Sequence, residues 1–390
     1  MSVHPTLKLK PREGRRVRAG APWVFANELV LDAKTKALEP GTLIKLEGDD
    51  GRKFGFGYFN AKSLIAVRLF ETEEAIGRNF FAARLRRALE LRESLYDRPF
   101  YRLVHAEGDG LPGLTIDRMG STCVCQVTTA GMEALTPMLL DALDEVVAPE
   151  TVILRNDTPS RALEGLDSFV NAVKGEGGRV TVEENGARYF AEPLSGQKTG
   201  WYYDQRDNRA FLAKLARGRT VLDACCYTGG FAIACAKAGA ANVTAVDSSA
   251  PALALAEEAA SANGFRPRFI KADVFEELER MVARGDKFDI VVADPPPFVK
   301  SRKDLEAGAR AYRKLARLSA SVTKPGGFLL LASCSHNIPM ERFAQECAIG
   351  ILRLGRSATL IREAGAGSDH PAHPMLPETA YLKALVYAVS

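Results

Sequence analysis

Several features that would place a chain in a class at once are missing from this one. No apolar run approaches the roughly 20 residues that span a bilayer, and Met1 to Lys10 has no apolar core of the signal-peptide kind. The expectation is a cytoplasmic protein with no membrane partner. The seven cysteines, at 123, 125, 225, 226, 235, 334 and 347, are odd in number, and no pairs stand at zinc-finger spacing. That argues against a disulfide framework and against a cysteine-held metal, so a catalytic cysteine must be singled out by its context. Repeats and low-complexity tracts are also missing.

What is present reads as globular. Of 390 residues, 46% are hydrophobic and 26% charged, ample for two or three buried cores. The net charge of +4 permits a polyanionic partner without requiring one, so the location of the charge matters more than its sum.

Residues 1–73 read as a basic, all-β module. The first 18 residues carry Lys8, Lys10, Arg12, Arg15, Arg16 and Arg18 against the single acid Glu13, Trp23 and Phe25 follow at strand spacing, and Thr42 to Leu46 and Lys53 to Phe59 flank an Asp49-Asp50-Gly51 turn. A small barrel with a positive edge interleaved with aromatics suits RNA. Residues 74–190 mix an arginine-rich helix, Asn79 to Tyr96, with strands at Tyr101 to Ala106, Leu114 to Arg118, Thr122 to Thr128 and Val152 to Arg155. A second helix is expected near Met132 to Val146, and Asn185-Gly186 marks a hairpin. This is an α+β module with no evident chemistry. In residues 191–390, short apolar strands at Thr220 to Ala224, Asn242 to Val246, Arg268 to Ile270, Phe288 to Ala293 and Phe328 to Ala332 alternate with helices such as Ala252 to Asn263. That rhythm predicts a doubly wound parallel sheet with ligands at the carboxyl ends of its strands.

The first of these strands runs into Asp223-Ala224-Cys225-Cys226-Tyr227-Thr228-Gly229-Gly230, without the Gly-x-Gly-x-x-Gly that a pyrophosphate needs, which disfavours a nicotinamide oxidoreductase. An acid followed by paired glycines suits a ligand with a cationic end and no phosphate, such as S-adenosylmethionine. Asp247, ending the second strand, is placed to accept the ribose hydroxyls, and Asp273, ending the third, to hold the adenine amino group. Each acid alone has a plainer reading as a helix cap or turn former; three at successive strand ends, with Asp294 ending a fourth, make that reading weak.

Asp294-Pro295-Pro296-Pro297-Phe298 resembles the Asp/Asn-Pro-Pro-aromatic turn of methyltransferases acting on amino groups, with one extra proline; Phe298 is a candidate to stack on a planar substrate. Taken alone the turn does not separate nitrogen from carbon chemistry. The following strand ends in Ser333-Cys334-Ser335. Carbon 5 of a pyrimidine becomes a competent nucleophile only after a thiolate adds at carbon 6, which makes Cys334 the candidate nucleophile. Ser333, Ser335, His336 or a helix end are candidates to activate it.

An ordered set of motifs resembles the bacterial large-subunit ribosomal RNA methyltransferases that modify carbon 5 of cytosine. They are Pro22-Trp23-Val24-Phe25, His105 to Asp109, Leu111 to Arg118, Gln197 to Gly200, Asp204-Gln205-Arg206, Tyr227 to Phe231, the Asp294 turn, Ser333-Cys334-Ser335 and Asp369-His370-Pro371. The resemblance implies an α/β protein with a PUA-like domain over 1–73, a central α+β domain over 74–190 and a Rossmann-like class I methyltransferase domain over 191–390. It implies S-adenosylmethionine as cofactor, no metal, large-subunit ribosomal RNA as partner and a homodimer as the assembly to test. It implies catalytic roles for Cys334 and Asp294, and a cofactor pocket shaped by Gln197, Asp204, Arg206, Asp223, Cys225, Gly229, Asp247, Ser248, Asp273, Val274 and Asp294. Pro297 departs from the family, which commonly has a basic residue there, and no cysteine follows the paired prolines. The rival readings are a methyltransferase acting on a base nitrogen, which needs no Cys334, and a non-catalytic RNA-binding assembly factor.

Overall fold

A computed structural model describes residues 4–196 and 199–390; Gln197, expected in the cofactor pocket, lies outside the described residues. The chain divides into two units. One comprises residues 1–180, 192–200 and 368–379, and the other 181–191, 201–367 and 380–390.

The first unit contains two five-stranded sheets. In the basic N-terminal part the strands run in the order Thr6–Lys8, Thr42–Glu47, Lys53–Phe59, Val67–Leu69, Trp23–Val24. Alternation buries Ile44 and Leu46 against Leu7, Leu9, Val24 and Phe59. The second sheet runs Phe169–Lys174, Thr151–Asn156, Thr122–Val127, Leu114–Met119, Phe100–His105. Helices Arg78–Leu95 and Ala130–Val147 share a core with it through Phe81, Leu85, Leu139 and Leu143 on Ile116 and Cys125. The strand at Phe169–Lys174 has no counterpart in the sequence reading, because its half-exposed residues show no apolar alternation.

The central motifs of the resemblance serve this unit structurally. Asp109 accepts two hydrogen bonds from the fully buried Arg92, at 2.6 and 2.8 Å, and one from the His105 backbone N–H. Asp369 accepts from Arg102 N at 2.9 Å. Gly108 is required there, since a Cβ would stand 2.0 Å from the Pro371 carbonyl oxygen.

The second unit opens with the hairpin Val180–Glu184 and Ala187–Ala191, whose Asn185 and Gly186 both take positive φ, 50° and 74°, as a type I′ turn requires. Its main sheet has seven strands: β1 Thr220–Ala224, β2 Asn242–Asp247, β3 Arg268–Lys271, β4 Phe288–Ala293, β5 Thr323–Ser333, β6 Ala358–Ala364 and β7 Lys383–Val389, in the order 3-2-1-4-5-7-6. The helices are α1 Arg206–Leu215, α2 Gly230–Lys237, α3 Ala250–Ala262, α4 Val274–Arg284, α5 Leu305–Val322 and α6 Met340–Leu352. The strand-helix rhythm predicts a parallel sheet, but β7 runs antiparallel to both β5 and β6. Only a three-residue 3-10 turn, Pro377–Thr379, separates β6 from β7 among the described residues, so the α-helical crossover that makes parallel neighbours is missing.

The central strands β1, β4 and β5 are largely apolar because both of their faces are covered. Leu222, Val291 and Leu329 join a core with Tyr312, Leu315 and Phe343 of α5 and α6. Their neighbours Val221, Val292 and Leu330 join another with Leu212, Phe231 and Cys235 of α1 and α2. No described helix is long and apolar enough to cross a membrane.

Candidate active site

The site is built where β1, β2, β4 and β5 end. Asp223, in β1, is wholly buried; its Oδ2 accepts from Ala232 N in the first turn of α2, at 2.9 Å, satisfying one orphan N–H of that helix. Its Oδ1 has no hydrogen-bond partner among the described residues. Burial pushes the Asp223 carboxyl up to about 7, and the neighbouring charges of Asp294 and Asp247 push in the same direction. A buried acid with an unused oxygen is suited to a cation.

The loop from β1 to α2 holds an unusual backbone. Cys225 and Tyr227 take φ of 74° and 50°, and Gly229, at 81°, caps α2 with no room for a Cβ beyond 3.1 Å from Ala256. The Cys225 and Cys226 N–H groups both donate to Val246 O at 2.9 Å, and Tyr227 N donates to Asp247 Oδ2 at 2.8 Å. Asp247, at the end of β2, therefore holds the loop as well as facing it. Its Oδ1 accepts from Ser249 N at 2.8 Å, while Ser248 is exposed and Ser249 caps α3. Each carboxylate oxygen keeps a second lone pair for a ribose hydroxyl.

Asp273 is exposed and caps α4, accepting from Phe275 N and Glu276 N at 2.9 and 3.1 Å, so the plainer expectation for this acid is realised beside any cofactor role. Val274 begins that helix and is half-buried.

A second segment, Tyr202 to Arg209, is only partly legible in the sequence. Asp204 is buried, its Oδ2 accepting from Tyr381 Oη at 2.6 Å. Arg206 is buried beside Glu184 and over the Tyr203 ring. The unforeseen organiser is Arg209, which gives Glu184 two hydrogen bonds, 2.6 and 2.9 Å, and a third to Tyr202 O. Trp201 Nε1 also donates to Glu184. Gln205 Nε2, Asn208 Oδ1 and Thr228 Oγ1 are buried with no partner among the described residues. Together with Asp223 Oδ1 they make a donor and acceptor set fit for a polar, cationic ligand such as S-adenosylmethionine. Glu184 and Arg209 could not be paired from sequence, since 25 residues and a strand-loop-helix path lie between them.

The reacting end joins two strands. β4 and β5 are parallel neighbours, Ala293 opposite Leu331, so Asp294 and Cys334 leave the same edge of the sheet from adjacent strands, Cys334 two residues further along. Tyr312 of α5 knits their loops: Ser333 Oγ donates to its Oη at 2.7 Å, as does Phe298 N at 3.3 Å. Ser335 Oγ donates to Val299 O, and Asn337 Nδ2 to Lys300 O. Phe298 is half-buried and packs against Tyr312, centroids 4.8 Å apart, and against Phe275, which fix the position of its ring. The hydroxyls of Ser333 and Ser335, expected as activators of Cys334, are committed elsewhere. His336 is exposed and lies against Tyr381.

Five cysteines are buried; Cys225 and Cys334 are partly exposed. Burial, then Asp294 and Asp247, push the Cys225 thiol well up, which makes it a poor nucleophile. Cys334 lies within electrostatic reach of Tyr202, Tyr312 and Lys383. Burial raises the Tyr312 phenol to about 12, and the Tyr202 phenol further still. Both therefore stay neutral hydrogen-bonding groups at working pH. Lys383, absent from the sequence reading, opens β7 opposite Ser333 and donates to the carbonyls of Ser335 and Tyr381 at 2.9 and 2.8 Å.

Comparison with known proteins matches residues 7–72 to a PUA-like domain and residues 165–387 to the S-adenosylmethionine-dependent methyltransferases. The chain is 39% identical to the ribosomal RNA large subunit methyltransferase I of Shewanella amazonensis, over 98% of this chain and 99% of that one. It is 37% identical to the protein of the same name from Aeromonas hydrophila, over 94% of each. Among solved structures, a putative methyltransferase complexed with SAH matches with TM-score 0.84 at 19% identity, over 99% of this chain and 100% of that one. A putative methyltransferase from Streptococcus mutans matches with TM-score 0.82 at 19% identity, over 98% and 99%.

Proposed function

Because this chain belongs to the S-adenosylmethionine-dependent methyltransferases, in the family of ribosomal RNA large subunit methyltransferase I, we propose that it forms 5-methylcytosine in large-subunit ribosomal RNA with Cys334 as covalent nucleophile. The observation that carries the chemistry is the pairing of Cys334 and Asp294 at the ends of adjacent parallel strands, beside the cofactor loop.

Asp223, Asp247, Gly229, Asp204 and the Gln205 and Asn208 amides would hold the cofactor, with Arg206, Cys225, Ser248, Asp273 and Val274 forming its surroundings. When bound, S-adenosylmethionine supplies an electrophilic methyl group for carbon 5. Cys334, as thiolate, adds to carbon 6 of the cytosine and makes carbon 5 enamine-like. Asp294 accepts from the exocyclic amino group and fixes the ring. After transfer a base removes the carbon 5 proton and the thiolate is eliminated from carbon 6, restoring the aromatic ring and the free enzyme. Neither face of a stacked base is open to a thiolate, so the target cytosine is unpaired or flipped out.

Large-subunit RNA substituted with 5-fluorocytosine tests this. Fluorine does not leave as a proton does, so wild-type protein should be trapped as an adduct that survives denaturation and maps to Cys334. Turnover by Cys334→Ala without any adduct would replace carbon chemistry with methylation of a base nitrogen.

A further inference from the structure

Cys334 sits among one carboxylate, two buried phenols and a third phenol, that of Tyr381. Asp294 follows β4, the buried phenol of Tyr202 approaches from the segment before α1, Tyr312 faces it from α5, and Tyr381, bonded to the Asp204 carboxylate, precedes β7. The loop after Cys334 contributes His336, exposed and stacked on Tyr381. A free thiol is mostly protonated at neutral pH, its pKa being about 8.5, so a nucleophilic thiol calls for a neighbour that favours the thiolate.

Against these stands Lys383, 8% exposed. The antiparallel register places it opposite Ser333, one residue before Cys334, and its ammonium reaches past the strand end to Ser335 O. Two of its three N–H donors go to the Ser335 and Tyr381 carbonyls, so the side chain is tethered on both sides of the thiol's loop. Burial lowers the pKa of Lys383, whereas charge on Cys334 raises it. By reciprocity the ammonium favours the thiolate by the same amount. A backbone-tethered lysine in a strand that is otherwise apolar, Ala384 to Val389, has no packing purpose that Leu or Met would not serve better.

We propose that Lys383 is a positioning residue for the reaction, an ammonium held by two carbonyls so that its third N–H donates to the Cys334 thiolate and keeps it ionised near neutral pH. This rests on Cys334 being the nucleophile.

The test follows alkylation of Cys334 by iodoacetamide against pH, read by mass spectrometry on the peptide that contains it. The midpoint in wild type should lie below that of a free thiol, about 8.5. Lys383→Met should raise it by about one unit or more, a tenfold loss of thiolate on the acid side, and Lys383→Arg should restore most of the reactivity. Lys383→Gln, which keeps a donor for the carbonyls but no charge, should behave like Lys383→Met. Adenosylmethionine affinity, measured on each variant by calorimetry, reports whether the fold is kept. A wild-type midpoint at or above the free-thiol value, or an unchanged midpoint in folded Met and Gln variants, would overturn the proposal even if the 5-fluorocytosine adduct forms. No adduct in wild type would remove the nucleophile and this role with it.

Discussion

The Tyr227 backbone N–H donates to Asp247 Oδ2 at 2.8 Å, across 20 residues of sequence. One carboxylate thereby sets a backbone of positive φ and faces the position where a ribose would lie. Asp247→Ala should weaken adenosylmethionine binding at least tenfold, about 1.4 kcal/mol, measured by calorimetry. An unchanged dissociation constant would remove Asp247 from the site.

If Asp223 holds the cofactor as proposed, affinity should depend on pH. A cationic ligand prefers the carboxylate, so affinity should rise as pH passes through about 7 and level off above it. Calorimetry in buffers of different ionisation enthalpy should show proton release near pH 6, absent in Asp223→Asn. Without ligand the sign is opposite. The raised pKa makes the protonated fold the more stable one, and Asp223's contribution declines as pH rises from its ordinary 3.8 through about 7. A pH-independent affinity would show that the acid does not meet the ligand's charge.

Cys334→Ala should abolish methylation and leave adenosylmethionine affinity within a few-fold of wild type. The loop between β1 and α2 is held by Asp247 and Val246, which the substitution leaves in place. A large loss of cofactor affinity would place the thiol inside the cofactor pocket instead.

The basic run after the Asp294 turn divides in two. Arg313 is paired with Glu346 at 2.6 Å and Lys314 with Glu279 at 2.9 Å, which leaves them less suited to bind phosphate; Lys300, Arg302 and Lys303 precede α5 without such pairing among the described ion pairs. Replacing Lys300, Arg302 and Lys303 by Ala should flatten the salt dependence of RNA affinity by about one unit of slope for each phosphate that the variant no longer neutralises. Arg313→Ala should leave the slope unchanged but destabilise the fold, because Glu346 is 1% exposed. The same slope in the triple variant as in wild type would move the RNA to another face.

Arg209→Met leaves Glu184 buried without its bidentate partner. Removing one member of such a pair costs about 3–5 kcal/mol, which denaturant titration should detect. A cost below about 1 kcal/mol would mean that Trp201 and Arg206 suffice to satisfy Glu184.

Local chemistry was legible in the sequence alone. The apolar run Ile290 to Ala293 coincides with the wholly buried end of its strand, because two covered faces leave no place there for a polar residue. Asn185-Gly186 dictated its turn through positive φ, and acids at strand ends, with Cys334 after Phe328 to Ala332, pointed to a candidate site because doubly wound sheets bind at that edge. Tertiary structure decided what depends on chain segments meeting. It alone placed Lys383 opposite Ser333, joined Arg209 to Glu184, turned β7 antiparallel and packed Phe298 against Tyr312. A lysine or a phenylalanine carries no local signal of its partner. Register between distant strands is settled by which buried polar groups and rings can be satisfied together, and that is a property of the packed chain.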